Sequence, residues 1–223
     1  MPDSLQWSPP KALVAQPLEG RFMRLEKLDP ARHGDDLWTL LQGEDADPKL
    51  WDYLPYGPFA DRERFDIWLD GYAVSPDPWG FCVVDKTTGQ AQGIMSLMSI
   101  VPAHGRIEIG HVAFSSAMQR TPKGTEAIYR LARFAFEHGY RRVEWKCDNA
   151  NERSRRAAQR SGFIFEGAFR QHMVVKGHNR DTAWFSMLDN EWPALERAFE
   201  AWLSDDNFEE GKQLRTLEDI RGR

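Results

Sequence analysis

The sequence predicts an α/β (α+β) chain built on one mixed, mostly antiparallel sheet with helices packed against it. Three observations predict this. Apolar residues recur at helical spacing before residue 75 and alternate between residues 80 and 114. Residues 106–147 read as strand, helix, strand, a unit that requires a parallel crossover. Two long strand-like stretches, Phe163–Lys176 and Arg180–Leu188, flank the turn residues Gly177-His178-Asn179.

In chain order, residues 1–18 carry Pro2, Pro9, Pro10 and Pro17 and read as an irregular arm. A strand is expected at Arg21–Leu28. Asp29-Pro30 then opens a helix, with Asp29 as N-cap and Pro30 in the first helical position. Leu37, Leu40 and Leu41 give that helix its apolar stripe. Pro48–Pro58 is a loop dense in aromatic residues, and Arg62–Tyr72 is a second helix with Phe65, Trp68, Leu69 and Tyr72 on one side. Gly80–Asp85 and Gln90–Val101 form a hairpin about the turn 86–89. Arg106–Phe114 is the next strand. A polar loop from Ser115 feeds a helix over Lys123–His138, with Thr121 as N-cap before Pro122. Val143–Cys147 is a short strand, and Asn151–Ser161 is a helix stopped by Gly162. After the two long strands, Glu191–Leu203 is a helix, and residues 204–223 form a polar, loosely docked tail. The expected division is an arm over 1–18, a folded domain over 19–190, and a C-terminal helix with tail over 191–223.

The 223 residues are 41% hydrophobic, with 9 Trp and 13 Phe, enough for a sizeable core. A net charge of −5 argues against a nucleic-acid partner, which needs excess Lys and Arg. Cys82 and Cys147 cannot build a disulfide framework or a four-thiolate zinc site, so no metal is expected. No apolar run is long enough for a membrane span, and the N-terminus lacks a signal pattern. The expected compartment is the cytoplasm.

Two local features suggest chemistry. The junction Gly110–Ala127 is a strand leading into a helix start, where free N–H groups and partial positive charge attract phosphate. Gln119, Arg120, Thr121, Lys123, Gly124 and Thr125 crowd that point; an ordinary capped helix would look the same. Residues 141–160 carry seven bases against three acids, +4 in a chain whose remainder is −9. A polyanionic ligand or a solvated helix face explains this equally well.

The stretch Asn151-x-x-Ser154-x-x-x-Ala158-x-x-x-Gly162-Phe163-x-x-Glu166-Gly167 resembles the C-terminal half of the GCN5-related N-acetyltransferase (GNAT) fold. Glu108-Ile109-Gly110 and Thr125-Glu126-Ala127 are similar to further motifs of its RimJ/RimL-type branch. The resemblance covers roughly residues 20–190. It implies a sheet whose fourth and fifth strands splay apart to admit acetyl-CoA as cofactor. The pantetheine arm would pair with backbone at Val112, Ala113 and Phe114 and with Asn151. The pyrophosphate would lie on residues 119–125, where Pro122 replaces the pattern's first glycine and removes one N–H donor.

The implied reaction is transfer of an acetyl group to a primary amine by direct attack in a ternary complex. A lysine amine, with pKa about 10.4, is costlier to deprotonate at neutral pH than an α-amino group near 8. Glu108 is the candidate base, on a face expected to include Gly110, Val112 and Phe114; its alternative is as an ion-pair partner for a base elsewhere. The tyrosine common in the superfamily is Ala158 here, so the resemblance points to Ser154 as proton donor to the leaving thiolate, or as a helix cap or a hydrogen-bond partner of CoA. His111 is expected on the opposite face from Glu108, as a packing residue. Trp51, Tyr53 and His172 are candidates to contact the acceptor, although Trp51 and Tyr53 would look the same as core plugs. A polyamine, an aminoglycoside or an N-terminal peptide fits the acidic balance, and a homodimer through the two long strands is possible. A CoA-binding sensor that has lost transfer is the alternative function.

Overall fold

The computed structural model describes residues 6–222. Pro2 of the expected arm lies outside them. The elements are β1 (Leu18–Glu19), β2 (Met23–Lys27), α1 (Pro30–Gln42), α2 (Arg62–Val74), β3 (Trp79–Asp85), β4 (Ala91–Val101), β5 (Arg106–Phe114), α3 (Pro122–Glu137), β6 (Arg142–Asp148), α4 (Glu152–Ser161), β7 (Ile164–Val175), β8 (His178–Leu188), α5 (Trp192–Leu203), β9 (Phe208–Glu209), β10 (Lys212–Gln213) and α6 (Leu217–Ile220). Eight strands make one sheet in the order β1-β2-β3-β4-β5-β6-β8-β7, and β9 and β10 form a small hairpin. Every neighbouring pair is antiparallel except β5 and β6. The mixed, mostly antiparallel sheet expected from the sequence is therefore present, with its single parallel contact made by the crossover through α3.

Strand alternation divides the core in two. On one face Cys82, Val84, Ile94 and Ala113 meet Leu37 and Leu41 of α1 and Phe65, Leu69 and Tyr72 of α2. On the other, Phe81, Val83, Met95 and Leu97 meet Ile128, Leu131 and Ala135 of α3 and Phe199 and Trp202 of α5. Asp29 caps α1 as expected, accepting from the Ala31 N–H at 3.0 Å. Glu126, fully buried on α3, accepts backbone N–H groups from Arg21 and Phe22 and faces Arg130 at 3.5 Å. This carboxylate fastens the β1–β2 turn to the helix.

Two expectations are corrected. The β7–β8 hairpin turns at Lys176–Gly177, both with positive φ, and Val175 pairs with His178. A two-residue turn of this kind matches strand twist better than the longer turn expected over 177–179. The C-terminal segment is docked, not loose. Leu217 is buried in the core where α6 packs on α5 and α4, Trp202 Nε1 donates to Gln213 Oε1 at 2.9 Å, and Asn207 is held by the carbonyls of Trp202 and Arg215. A β-turn signal at Glu210-Gly211 and a capping box from Thr216 to Asp219 build β9–β10 and α6. Glu126→Ala is expected to lower the unfolding free energy by roughly 3 kcal/mol in urea denaturation, because it strips a buried acceptor from two N–H groups and leaves Arg130 short of its partner.

Candidate active site

The site begins where β5 and β6 part. Their parallel ladder consists of Arg106↔Arg142, Ile107↔Val143 and Glu108↔Glu144, and stops there. Beyond it β5 pairs only with β4, and β6 only with β8. The facing backbone edges of residues 109–114 and 145–148 thus border a wedge. Two bulges interrupt the β4–β5 ladder beside it. On β5, His111 and Val112 together oppose Met95, with His111 at φ 51°. On β4, Ser99 and Ile100 oppose Ile107, with Ser99 at φ 49°. Asp77 fixes the second bulge by accepting from the N–H groups of Ser99 at 2.9 Å and Ile100 at 3.1 Å. A bulge adds a residue to one strand and increases its local twist.

The bulge also overturns the expected face pattern. Glu108, Gly110 and Ala113 share one side, and Val112 and Phe114 point to the other, against the α3 core. A Cβ on Gly110 would stand 2.5 Å from the Met98 sulfur, so the methionine side chain lies close over the strand at this position. His111 turns to the same side as Glu108, not the opposite one. Its ring lies 5.3 Å from Tyr56, edge to face, and 5.7 Å from Tyr72.

A buried charge cluster occupies the point of the wedge. Lys146 Nζ lies 2.8 Å from Glu108 Oε2 and 3.3 Å from Glu144 Oε2, and 4.2 Å from the Trp184 ring centre. Ser99 Oγ donates to Glu108 at 3.0 Å. Arg142 joins Glu144 to Glu166, and Arg106 approaches Glu144 at 3.5 Å. Two carboxylates in register on neighbouring strands would repel; the lysine between them removes that penalty. Burial pushes the Glu108 carboxyl up, and Lys146 pulls against it. Glu108 is 5% exposed, and its Oε2 takes both Lys146 and Ser99.

At the other end of the wedge, the loop after β5 leads into α3. Gln119 Nε2 donates to the Phe114 carbonyl at 3.0 Å, holding the loop on the strand end. Arg120 is exposed with φ 60°. Thr121 occupies the N-cap position but turns its hydroxyl to the Met118 carbonyl at 2.7 Å and does not cap the helix. With Pro122 at N1, no side chain closes this helix start among the described residues. Two expected contacts are corrected here. The Lys123 ammonium is bound to Asp85 Oδ2 and to Gln92 Oε1, below the sheet, so only its backbone N–H faces the helix start. Thr125 is fully buried, its hydroxyl enclosed in the core. A Cβ on Gly124 would touch the Phe114 ring at 3.4 Å.

Asn151 caps α4, its Oδ1 accepting from the Ser154 N–H at 3.1 Å. Ser154 Oγ accepts from Trp145 Nε1 at 2.9 Å. Both therefore stand at the open edge of β6. Within the basic window, Arg153 pairs with Asp47 and Arg156 with Glu152, while Arg142 and Lys146 belong to the buried cluster. Much of the segregated charge is thus paired internally. Burial raises the thiols of Cys82 and Cys147, which are free and inert.

The expected acceptor residues separate. Trp51 is 2% exposed, donates to the Leu41 carbonyl and packs among Tyr56, Phe59 and Trp68, so it is a core plug. Tyr53 is exposed and donates to the Ala150 carbonyl at 3.4 Å, bridging toward α4. His172 is exposed on β7, its Nδ1 2.9 Å from Thr182 Oγ1, which also accepts from Arg180 Nε at 3.1 Å. The sequence reading gave His111 a packing role and Lys146 a place in the basic window; the structure puts His111 on the Glu108 side beside Tyr72, and Lys146 between Glu108 and Glu144. No periodicity announces a bulge, and without it His111 falls on the wrong face.

The acetyltransferase (GNAT) domain model matches residues 24–164. The chain belongs to the GNAT family. A GNAT protein from Brucella melitensis has the same architecture, with a TM-score of 0.94 and 47% identity over 98% of this chain and 99% of its own. The putative ribosomal N-acetyltransferase YdaF of Bacillus subtilis (strain 168) is 33% identical over 107 residues, 47% of this chain and 57% of that protein. The likeness to RimL, a ribosomal L7/L12 alpha-N-protein acetyltransferase, is one of fold, with a TM-score of 0.67 at 16% identity over 82% of this chain and 99% of that one. The branch expected from the motifs agrees with these relatives. Asp85→Asn is expected to lower stability at neutral pH and to lose that effect as pH falls. Burial opposes the charged form of Asp85, yet its bonds to Lys123, Thr87 and Thr88 hold its pKa below the usual carboxylate range. The stability it contributes is therefore present above the unfolded value of about 3.9 and lost as pH drops through the lower folded value. Urea midpoints measured across pH check this.

Proposed function

We propose that the protein is an acetyl-CoA-dependent N-acetyltransferase that acetylates a primary amine by direct attack within a ternary complex. The observation that carries this reading is the wedge itself: an unpaired β5 edge running from the Glu108 cluster to an uncapped start of α3. The residues fit the cofactor. Backbone at 112–114 is free on the β6 side for a pantetheine arm, and the Lys123 and Gly124 N–H groups at the helix start suit a pyrophosphate. Asn151 and Ser154 border the same opening. Bound there, acetyl-CoA supplies an activated thioester carbonyl. Gln119 holds the loop, and exposed Arg120 provides the positive charge that Lys123, pinned by Asp85, does not.

Ser154 is the proton donor to the departing thiolate, held in place by Trp145 and by the α4 cap. Glu108 keeps the wedge in shape through Lys146 and fixes charge near the acceptor nitrogen. The acceptor is a primary amine, and the ribosomal N-acetyltransferase relative supports a protein N-terminus among the candidate classes. Among the described residues no helix is long and apolar enough to cross a membrane, and the buried free thiols suit a reducing cytoplasm.

Calorimetry with acetyl-CoA tests the cofactor. Gly124→Val, which presses on Phe114, is expected to weaken binding by more than tenfold, on the order of 1.4 kcal/mol. Ser154→Ala is expected to lower turnover and leave the KM for acetyl-CoA within a few-fold, as for an interaction made mainly in the transition state. Tight binding with no thiol release across polyamines, aminoglycosides and N-terminal peptides would favour the CoA-binding sensor instead. No binding at all removes the reading.

A further inference from the structure

The charge cluster leaves one unanswered requirement, a group to take the proton of the attacking amine. Glu108 is poorly placed to do so. Its carboxylate is buried, ion-paired to Lys146 at 2.8 Å and hydrogen-bonded to Ser99 at 3.0 Å. Protonating it would leave Lys146 with only Glu144, at the longer distance of 3.3 Å.

We propose that His111 is the catalytic proton acceptor of this chain, presented to the wedge by the β5 bulge. This rests on the transferase reading above. The bulge residue is directed to the acceptor side at φ 51°, on the strand edge that borders the wedge. Its Nδ1 is buried and has no hydrogen-bond partner among the described residues. The ring stands edge-on to Tyr56 and beside Tyr72, whose hydroxyls are also buried without a well-formed hydrogen bond. Edge-to-face packing suits a ring N–H among aromatic rings, so we assign the proton to the buried Nδ1, which leaves Nε2 as the proton-accepting nitrogen. The groups that face the ring are Tyr56 from the aromatic loop, Tyr72 from α2, Asp77 from the loop before β3 and Arg180 from β8. Burial and Arg180 hold the imidazole well below its usual range, at about 4, so the ring stays neutral wherever an amine is reactive.

The step balances. The amine lone pair forms the N–C bond to the acetyl carbon, and the C–S bond breaks. As the N–C bond forms, the attacking nitrogen becomes far more acidic than the parent amine, and its proton passes to His111 Nε2. The sulfur takes its proton from Ser154 or solvent. A weakly basic imidazole suffices because it acts on that acidified nitrogen and not on the free ammonium ion. First deprotonation of the ammonium is left to solvent, at about 1.4 kcal/mol for an α-amino group at neutral pH.

The first arm of the test needs no acceptor. In the CoA-bound protein, the His111 ring nitrogens are followed by 15N NMR between about pH 5 and about pH 9, the range in which an ordinary histidine titrates. A neutral ring with unprotonated Nε2 throughout is expected. An imidazolium at neutral pH, or a proton resident on Nε2, overturns the proposal. The second arm measures thiol release with spermidine, kanamycin and a hexapeptide with a free N-terminus. His111→Asn is the variant of choice, since asparagine tolerates the left-handed backbone. Turnover is expected to fall 10²–10⁴-fold with the acetyl-CoA Kd and Tm close to wild type. The residual rate should rise more steeply with pH than that of the wild type, as hydroxide takes the second proton from the attacking nitrogen in place of the imidazole. Turnover within threefold of wild type overturns the assignment, as does a fall that is uniform in pH and tracks a lowered Tm. Loss of acetyl-CoA binding by the wild-type protein sinks the transferase reading by a separate measurement.

Discussion

The structure depends on how two carboxylates are placed next to each other without repulsion. Glu108 and Glu144 end the parallel ladder between β5 and β6, and Lys146 stands between them. Paired this way, the charges fix where hydrogen bonding between the strands stops. Everything that gives the chain a cleft lies beyond that point. The sheet continues intact on either side, through β4 on one flank and β8 on the other, so the opening costs no edge to solvent along those flanks. The arginines at 106 and 142 complete the arrangement from the closed end of the ladder.

Burial does the complementary work around this cluster. The α1–α2 layer and its aromatic loop press on the face that carries Glu108, Gly110 and His111, while α3 and α5 back the other face. Gly110 admits Met98 close to the strand, and Gly80 admits Tyr72. Those two close approaches let the aromatic layer come down onto β5 beside the bulge. The cofactor end is shaped differently, by what is missing: Thr121 does not cap α3, and Pro122 contributes no N–H, so the helix start is open but short of one donor.

The fold was legible because its signals are local. Asp29-Pro30 announces a helix, the period change near residue 80 announces strands, and the strand–helix–strand unit forces the parallel crossover. The Asn151 and Ser154 positions were legible for the same reason, since a helix cap is written in adjacent residues. Side-chain partners were not. Nothing near Lys123 in sequence says that Asp85 and Gln92 will claim its ammonium from 31 to 38 positions away. Trp51 reads as a ligand platform or a plug until the position of α2 decides. The bulge at His111 is the plainest case, since one extra residue inverts the facing of everything after it and strict alternation gives the wrong side.

The docked C-terminal segment has a consequence for how the chain is made. Leu217 joins the core cluster from α6, which packs on α5 and α4, and Gln213 and Arg215 complete the polar contacts of Trp202 and Asn207. During synthesis, α3 emerges long before these residues do, and a growing chain folds only what has left the ribosome. The core cluster that α3 shares with α5 thus lacks Leu217 for that interval. That side of the core closes only once residues 205–220 have emerged.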